Sequence, residues 1–259
     1  MKKLLFILLS GFAFTCLYAQ DKSVYQKKLF IRGNDTLPYR ILYPQNYKPN
    51  KKYPVVVFLH GSGERGNDNE LQLVHGWKLF ADSANRKKYP AFVIFPQCPQ
   101  NSSWATVTMN RNTQPFQLEF LSSAPITNPL SMVSQLMDSL LLSGKVNKKK
   151  IYIGGLSLGG MGTFDLLWRK PGVFAAAFPI CGGGDSSKAV VYGNNFPAWI
   201  FHGAADPVVD VSNSRKMVSA LQKAGAKVKY TEYPDVKHDS WNNTFAEPGL
   251  LAWLFKQHR

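Results

Sequence analysis

Residues 151–168 read Ile-Tyr-Ile-Gly-Gly-Leu-Ser-Leu-Gly-Gly-Met-Gly-Thr-Phe-Asp-Leu-Leu-Trp. The opening Ile-Tyr-Ile-Gly has the β-branched and aromatic character of a covered strand, and the closing half suits a helix. Between them stands Gly155-Leu156-Ser157-Leu158-Gly159. A Gly-x-Ser-x-Gly pentapeptide alone arises often by chance. Set between a strand and a helix, it predicts a sharp turn that strains Ser157 and exposes its hydroxyl. The flanking glycines are expected because a Cβ at either position would strike the neighbouring strand or helix. An idle serine in a Gly-rich helix entry is the plainer alternative.

Outward from this turn, strand and helix patterns alternate. Lys28–Arg32 and Tyr39–Tyr43 alternate polar and apolar residues, as in an opening antiparallel pair. Tyr53–Leu59 and Ala91–Phe95 are unbroken apolar runs, as in strands covered on both faces. Ile151–Gly154, Ala175–Ile180, Ala198–His202 and Val228–Tyr233 continue the set. Val133, Leu136, Met137, Leu140 and Leu141 form one face of a helix that stops near Gly144. Gly159–Arg169, Ser212–Ala224 and Glu247–Gln257 read as further helices. The fold class is therefore α/β: a mostly parallel eight-stranded sheet with helices on both faces. No repeat or low-complexity linker interrupts residues 20–259, which read as a single domain. The longest irregular stretch, Cys98 to Thr127, is expected to be functional or to hide a short element.

A serine hydroxyl needs a base, and the base needs an orienting acid. For a strand–turn–helix nucleophile the chain order is Ser, Asp or Glu, then His. Asp206, in His202-Gly203-Ala204-Ala205-Asp206-Pro207, follows one strand, and His238, in Lys237-His238-Asp239, follows the next. Parallel strands bring such loops to one edge of the sheet, where ligands bind. Asp210 competes as the acid but suits a helix N-terminus better; Asp235 and Asp239 flank His238 too closely to orient it. His60 and His202 precede glycines at strand ends, where turn stabilisation is the simpler role. His75 and His258 have no supporting context. The developing oxyanion needs donors. The Leu158 amide should supply one. His60-Gly61-Ser62-Gly63-Glu64-Arg65-Gly66 should supply the other, through the Ser62 amide or, failing that, the Gly63 amide.

The chain has 259 residues, 45% hydrophobic and 13% aromatic, which excludes disorder for its bulk. Its net charge is +15. However, Lys51–Lys52, Arg86–Lys88, Lys148–Lys150 and Lys227 precede predicted strands, so they collect at the edge opposite the catalytic loops. No nucleic-acid motif accompanies them. A solvated face is the plain reading, and weak adhesion to an anionic envelope or polysaccharide the sharper one. Residues 1–19, with Lys2, Lys3, an apolar run and Ala19, read as a secretory signal cleaved before Gln20, which predicts a secreted or periplasmic protein. A membrane anchor is the alternative, but the apolar run is short for a span. No other stretch is long enough to cross a bilayer.

His-Gly-x-Gly after the third strand, Gly-x-Ser-x-Gly-Gly, His-Gly-x-x-Asp and a late His resemble the α/β-hydrolase superfamily. Within it the chain resembles the compact carboxylesterase and dienelactone-hydrolase group, including secreted feruloyl and acetylxylan esterases. Phe95-Pro96-Gln97-Cys98-Pro99 with Ser103-Trp104 is similar to bacterial esterases of that group. The resemblance, from about Leu37 onward, implies a Ser157–His238–Asp206 triad and no metal or organic cofactor. Dienelactone hydrolases proper use a cysteine nucleophile, so Ser157 favours ordinary esters. The short Gly184–Phe196 segment leaves no room for a cap domain and predicts an open cleft, suited to a small-molecule ester or to an acyl group on a polysaccharide. Trp104 and Trp241 are candidate substrate walls, since aromatic faces receive sugar rings and phenolic acids; core packing is the equal alternative. The superfamily's strand order puts Cys98 and Cys181 roughly 14 Å apart, three spacings of ~4.8 Å, and predicts free thiols. A peptidase of the prolyl-oligopeptidase type has a similar catalytic domain, but it also carries a propeller for which this chain lacks room. A non-catalytic binding protein on the same fold is the remaining alternative.

Overall fold

The computed structural model describes residues 21–259; the signal segment expected at residues 1–19 lies outside them. The strands are β1 (Tyr25–Arg32), β2 (Asp35–Leu42), β3 (Tyr53–Leu59), β4 (Phe92–Pro96), β5 (Val107–Asn110), β6 (Gln117–Phe120), β7 (Val146–Leu156), β8 (Ala176–Ile180), β9 (Pro197–Gly203) and β10 (Lys227–Tyr233). The helices are α1 (Trp77–Ala81), α2 (Ser83–Lys88), α3 (Asn128–Leu142), α4 (Leu158–Arg169), α5 (Ala189–Tyr192), α6 (Ser212–Lys223), α7 (Trp241–Phe245) and α8 (Leu250–Lys256). Eight strands form one sheet in the order β1-β2-β4-β3-β7-β8-β9-β10. β1–β2 and β2–β4 are antiparallel and the remaining neighbours parallel. This is the α/β-hydrolase sheet.

The apolar run of β3 shows why it lies at the centre. Val55, Val57 and Leu59 join a core with Leu130, Val133, Leu136 and Met137 of α3 and Met217 and Leu221 of α6. Val56 and Phe58 point the other way, to Trp77 and Phe80 of α1 and Leu250, Leu251 and Leu254 of α8. A strand alternates its side chains between faces, so only an unbroken apolar run satisfies two cores at once. Each fully buried side chain of this kind contributes roughly 1.5–3 kcal/mol.

Several elements differ from expectation. The predicted Glu247–Gln257 helix begins only at Leu250, because Pro248-Gly249 interrupts it, and α7 precedes the break. α1 and α2 were not expected. They are single short turns joined at Asp82, which ends one and caps the other by accepting from Asn85 N at 2.9 Å; elements this short show no periodicity. The irregular Cys98–Thr127 stretch holds the antiparallel hairpin β5–β6, tied to the Asp206 loop by Phe116 N donating to Val208 O at 2.9 Å. Lys148–Lys150 lie inside β7 rather than before it. Lys150 still meets Lys51, Lys52, Lys88 and Lys256 around a cavity of about 400 Å³ near the start of β3. Between β8 and β9 stand only a 3-10 turn, Ser186–Lys188, and α5, so there is no cap domain among the described residues. Cys98 and Cys181 are free and buried. No described helix is long and apolar enough to cross a membrane.

Candidate active site

β7 and α4 meet at Ser157, whose backbone has φ 53° and ψ −115°. Positive φ is costly for a residue with a Cβ and persists only where the surroundings enforce it. Here Ser157 N donates to Ile180 O at 2.9 Å, while its carbonyl receives Met161 N at 3.0 Å as α4 begins. Close backbone packing completes the clamp: a Cβ on Gly159 would stand 2.0 Å from Leu59 O. The turn therefore projects the Ser157 side chain from the carboxyl end of the central strands.

His238 reaches it from the loop after β10. His238 Nε2 lies 2.9 Å from Ser157 Oγ, and its Nδ1 lies 2.7 Å from Asp206 Oδ2. The structure thus brings Ser157, His238 and Asp206, far apart in the chain, into one hydrogen-bonded line. Asp206 is over-determined. Its Oδ1 accepts Val208 N at 2.8 Å and Val209 N at 3.0 Å. Its Oδ2 is shared between His238 and His202 Nε2, the latter at 3.1 Å. Burial pushes the Asp206 carboxyl up, but donors from His202 and His238 outweigh it and hold the group well below the usual carboxylate range.

His202 was expected only to steady a turn. It does so, with Nε2 also 2.9 Å from Val209 O, and it holds the acid as well. Because Nε2 faces two acceptors, it carries the proton. Nδ1 lies 2.7 Å from Ser214 Oγ. The signal available in the sequence was the four-residue spacing of His202 and Asp206 across a Gly turn. Asp210 takes the capping role expected of it, accepting Ser212 N at 2.8 Å at the start of α6.

The two loops approach closely because residue 203 has no side chain. A Cβ on Gly203 would lie 2.2 Å from Lys237 O and 2.3 Å from Val236 O. Gly203→Ala must therefore push the His238 loop away from Asp206. A displacement of about 1 Å at the reacting groups costs roughly 100-fold, so kcat for a simple aryl ester should fall by ~100-fold. Circular dichroism should show the fold retained. Near wild-type turnover would refute this account of the glycine.

Leu158 is the first residue of α4, and the first amides of a helix have no intrahelical acceptor. Ser62 opens the 3-10 turn Ser62–Glu64, so its amide is likewise outside the turn's own bonds. Gly61 packs this loop on the nucleophile turn: a Cβ there would lie 2.7 Å from Leu156 Cδ1. Underneath, His60 Nε2 accepts Cys98 N at 3.0 Å and Nδ1 lies 2.6 Å from Gly61 O. Burial pushes the imidazole down to about 4, so it stays neutral. His60 is a brace, not a base.

The two tryptophans part company. Trp104, expected as a candidate substrate wall, is fully buried. Its Nε1 donates to His60 O at 3.1 Å and its ring packs on the His60 imidazole. It fills the core under the loop and cannot touch substrate, which corrects that expectation. Trp241 is half-buried, its ring edge-on to His238 with centroids 5.4 Å apart. The cleft is tighter than the missing cap suggests. Ser157 is 9% exposed and the His238 side chain 19%, because the turn, the brace and α7 crowd round them.

The phospholipase/carboxylesterase family profile matches residues 46–247. The chain belongs to this family. It is a serine hydrolase acting on esters. It is 27% identical over 208 residues to mouse lysophospholipase-like protein 1, covering 77% of this chain and 84% of that one. It is 24% identical over 210 residues to a bifunctional acetylxylan esterase/xylanase of Neocallimastix patriciarum, covering 81% of this chain and 27% of that protein. A crystal structure of a thermostable esterase superposes with a TM-score of 0.81 at 40% identity. That match covers 92% of this chain, which spans 64% of the esterase's length.

Proposed function

We propose an exported serine carboxylesterase that removes acyl groups, acetyl or feruloyl, from plant polysaccharide. The observation that carries the reading is the line from Ser157 Oγ through His238 to Asp206, with steps of 2.9 and 2.7 Å. Ser157 Oγ attacks the ester carbonyl carbon while His238 Nε2 takes its proton. Asp206 fixes the imidazole tautomer and steadies the imidazolium. The amides of Leu158 and Ser62 receive the negative oxygen of the tetrahedral intermediate. Collapse breaks the ester C–O bond, and His238 returns the proton to the departing alcohol. A water, deprotonated by His238, then frees the carboxylic acid and restores Ser157.

The substrate part of the proposal draws on the acetylxylan esterase likeness and on the lack of a cap between β8 and β9. Export, read from residues 1–19, agrees with a polymer found outside the cell. The test is a panel of p-nitrophenyl acetate, methyl ferulate, acetylated xylan, a lysophospholipid and proline peptides. Turnover of acetylated xylan or methyl ferulate above the lysophospholipid is expected. Preference for the lysophospholipid would overturn the substrate, and faster turnover of proline peptides than of every ester would overturn the esterase.

A further inference from the structure

Ester hydrolysis at Ser157 makes no use of the basic cluster at the other end of the sheet. Lys51, Lys52, Lys88, Lys150 and Lys256 line the cavity of about 400 Å³ where β3 begins. Pro90, which leads into β4, and Asn147, near the start of β7, line it too. Ser157 follows the last residue of β7, so the two sites lie at opposite ends of that strand. No carboxylate side chain lines the cavity. Elsewhere lysines find acids: Lys27 pairs with Glu70 and Lys170 with Asp138. Among the described residues, none of the five cavity lysines forms an ion pair. Lys150 is half-buried, and its Nζ reaches only Phe255 O, at 3.5 Å.

We propose that this recess is a binding site for a compact, soluble anion of two or more linked phosphoryl groups. Its floor is held in place. Tyr89 stacks on Phe255 with ring centroids 5.0 Å apart and planes 23° from parallel. The Lys51 and Lys88 ammoniums sit over the Tyr53 and Tyr89 rings, each 5.4 Å from the centroid. Asn147 Oδ1 accepts Lys149 N at 3.0 Å, which leaves the Asn147 NH₂ to donate.

Charge and shape select the ligand. Ammoniums gathered without a counter-charge repel one another, and an anion that enters relieves the repulsion. Lysine meets phosphate as a point charge and needs no planar fork. A terminal phosphoryl group brings about two charges and three acceptor oxygens at neutral pH, so linked groups match several ammoniums within one small recess. A carboxylate brings a single charge and two oxygens, and a small acid leaves most of the lysines unmatched. A bilayer fits poorly. Helices that bind a membrane surface bury apolar side chains in it, and none of the exposed large hydrophobic residues lines this recess. Single-stranded nucleic acid stacks its bases on open aromatic faces. Here Phe255 and Lys88 cover the Tyr89 ring, and Tyr53 is buried.

The test is calorimetric titration of the protein with tripolyphosphate, inorganic phosphate and citrate, free of metal, at ~0.15 M ionic strength. Phosphatidylserine vesicles and a short DNA duplex are titrated alongside. Saturable one-to-one binding of tripolyphosphate is expected, at least ~10-fold tighter than inorganic phosphate or citrate. Lys51→Gln, Lys88→Gln and Lys150→Gln should each weaken it ~10-fold, the loss of one charge-assisted hydrogen bond. Lys216→Gln removes the same charge from the exposed side of α6 and should leave the affinity within twofold. If Lys150→Gln does not fold, the Lys51 and Lys88 variants decide the matter. An equal loss in Lys216→Gln, citrate binding as tightly as tripolyphosphate, or a titration that never saturates would overturn the proposal, since net charge alone would then be acting. Tighter binding of the vesicles or the duplex, weakened by the same three substitutions, would overturn it in favour of a membrane or nucleic-acid face.

Discussion

Ser157→Ala is expected to lower kcat on p-nitrophenyl acetate by ~10⁴- to 10⁶-fold, with the melting temperature nearly unchanged. The variant loses the oxygen that His238 Nε2 faces at 2.9 Å, and with it the acyl-enzyme route. The amide of Leu158 at the start of α4 and the binding surface remain, so a residual rate above that in water should persist, as where other serine hydrolases lose the nucleophile. Labelling by a fluorophosphonate should disappear at the same time. A loss of under tenfold, or labelling that survives, would mean another residue carries the reaction.

Asp206→Asn should be nearly as damaging to kcat, by ~10⁴-fold, and unlike Ser157→Ala it should also destabilise. The reason lies in how the two carboxylate oxygens are used. Oδ1 accepts two backbone N–H groups, of Val208 and Val209, and Oδ2 accepts from two imidazoles. An asparagine has one acceptor oxygen, so its NH₂ must face donors on one side or the other. The cost of groups left unpaired is about 1–3 kcal/mol, read as a lower urea midpoint at neutral pH. Acid should separate the proteins further. The folded-state carboxyl of Asp206 titrates well below its ordinary value, so the folded chain binds this proton less readily than the unfolded chain. The stabilisation is complete above the unfolded value near pH 4 and drains away as pH falls toward the folded value. The wild-type urea midpoint should therefore fall more steeply below pH ~4 than that of Asp206→Asn. Parallel acid limbs would contradict the assignment.

What the chain announced locally could be read before folding. The apolar runs of β3 and β4 have to be covered on both faces, and the α3 stripe from Val133 to Leu141 has to lie on a sheet, because no other arrangement removes those surfaces from water. The strand–Gly-x-Ser-x-Gly–helix passage is local geometry too: a turn that tight tolerates no Cβ at Gly159. Asp206 and His238 were found because a parallel sheet sends the loops after its strands to a common edge.

The tertiary structure alone decided which of several equivalent-looking residues matter. Trp104 and Trp241 are both indoles near a glycine-rich or histidine-bearing loop in the sequence. Only packing puts one under the His60–Gly66 loop and the other against His238. His202 and His60 both precede a glycine at a strand end. One donates to the Asp206 carboxylate, and the other, fully covered, braces a loop. The hairpin β5–β6 gains its anchor from Val208 O, beyond β9. Periodicity and turn chemistry are properties of neighbours along the polymer, so they determine elements and the edge at which loops gather. Hydrogen-bond partners between distant loops depend on how those loops pack to within an ångström, and no local pattern encodes that.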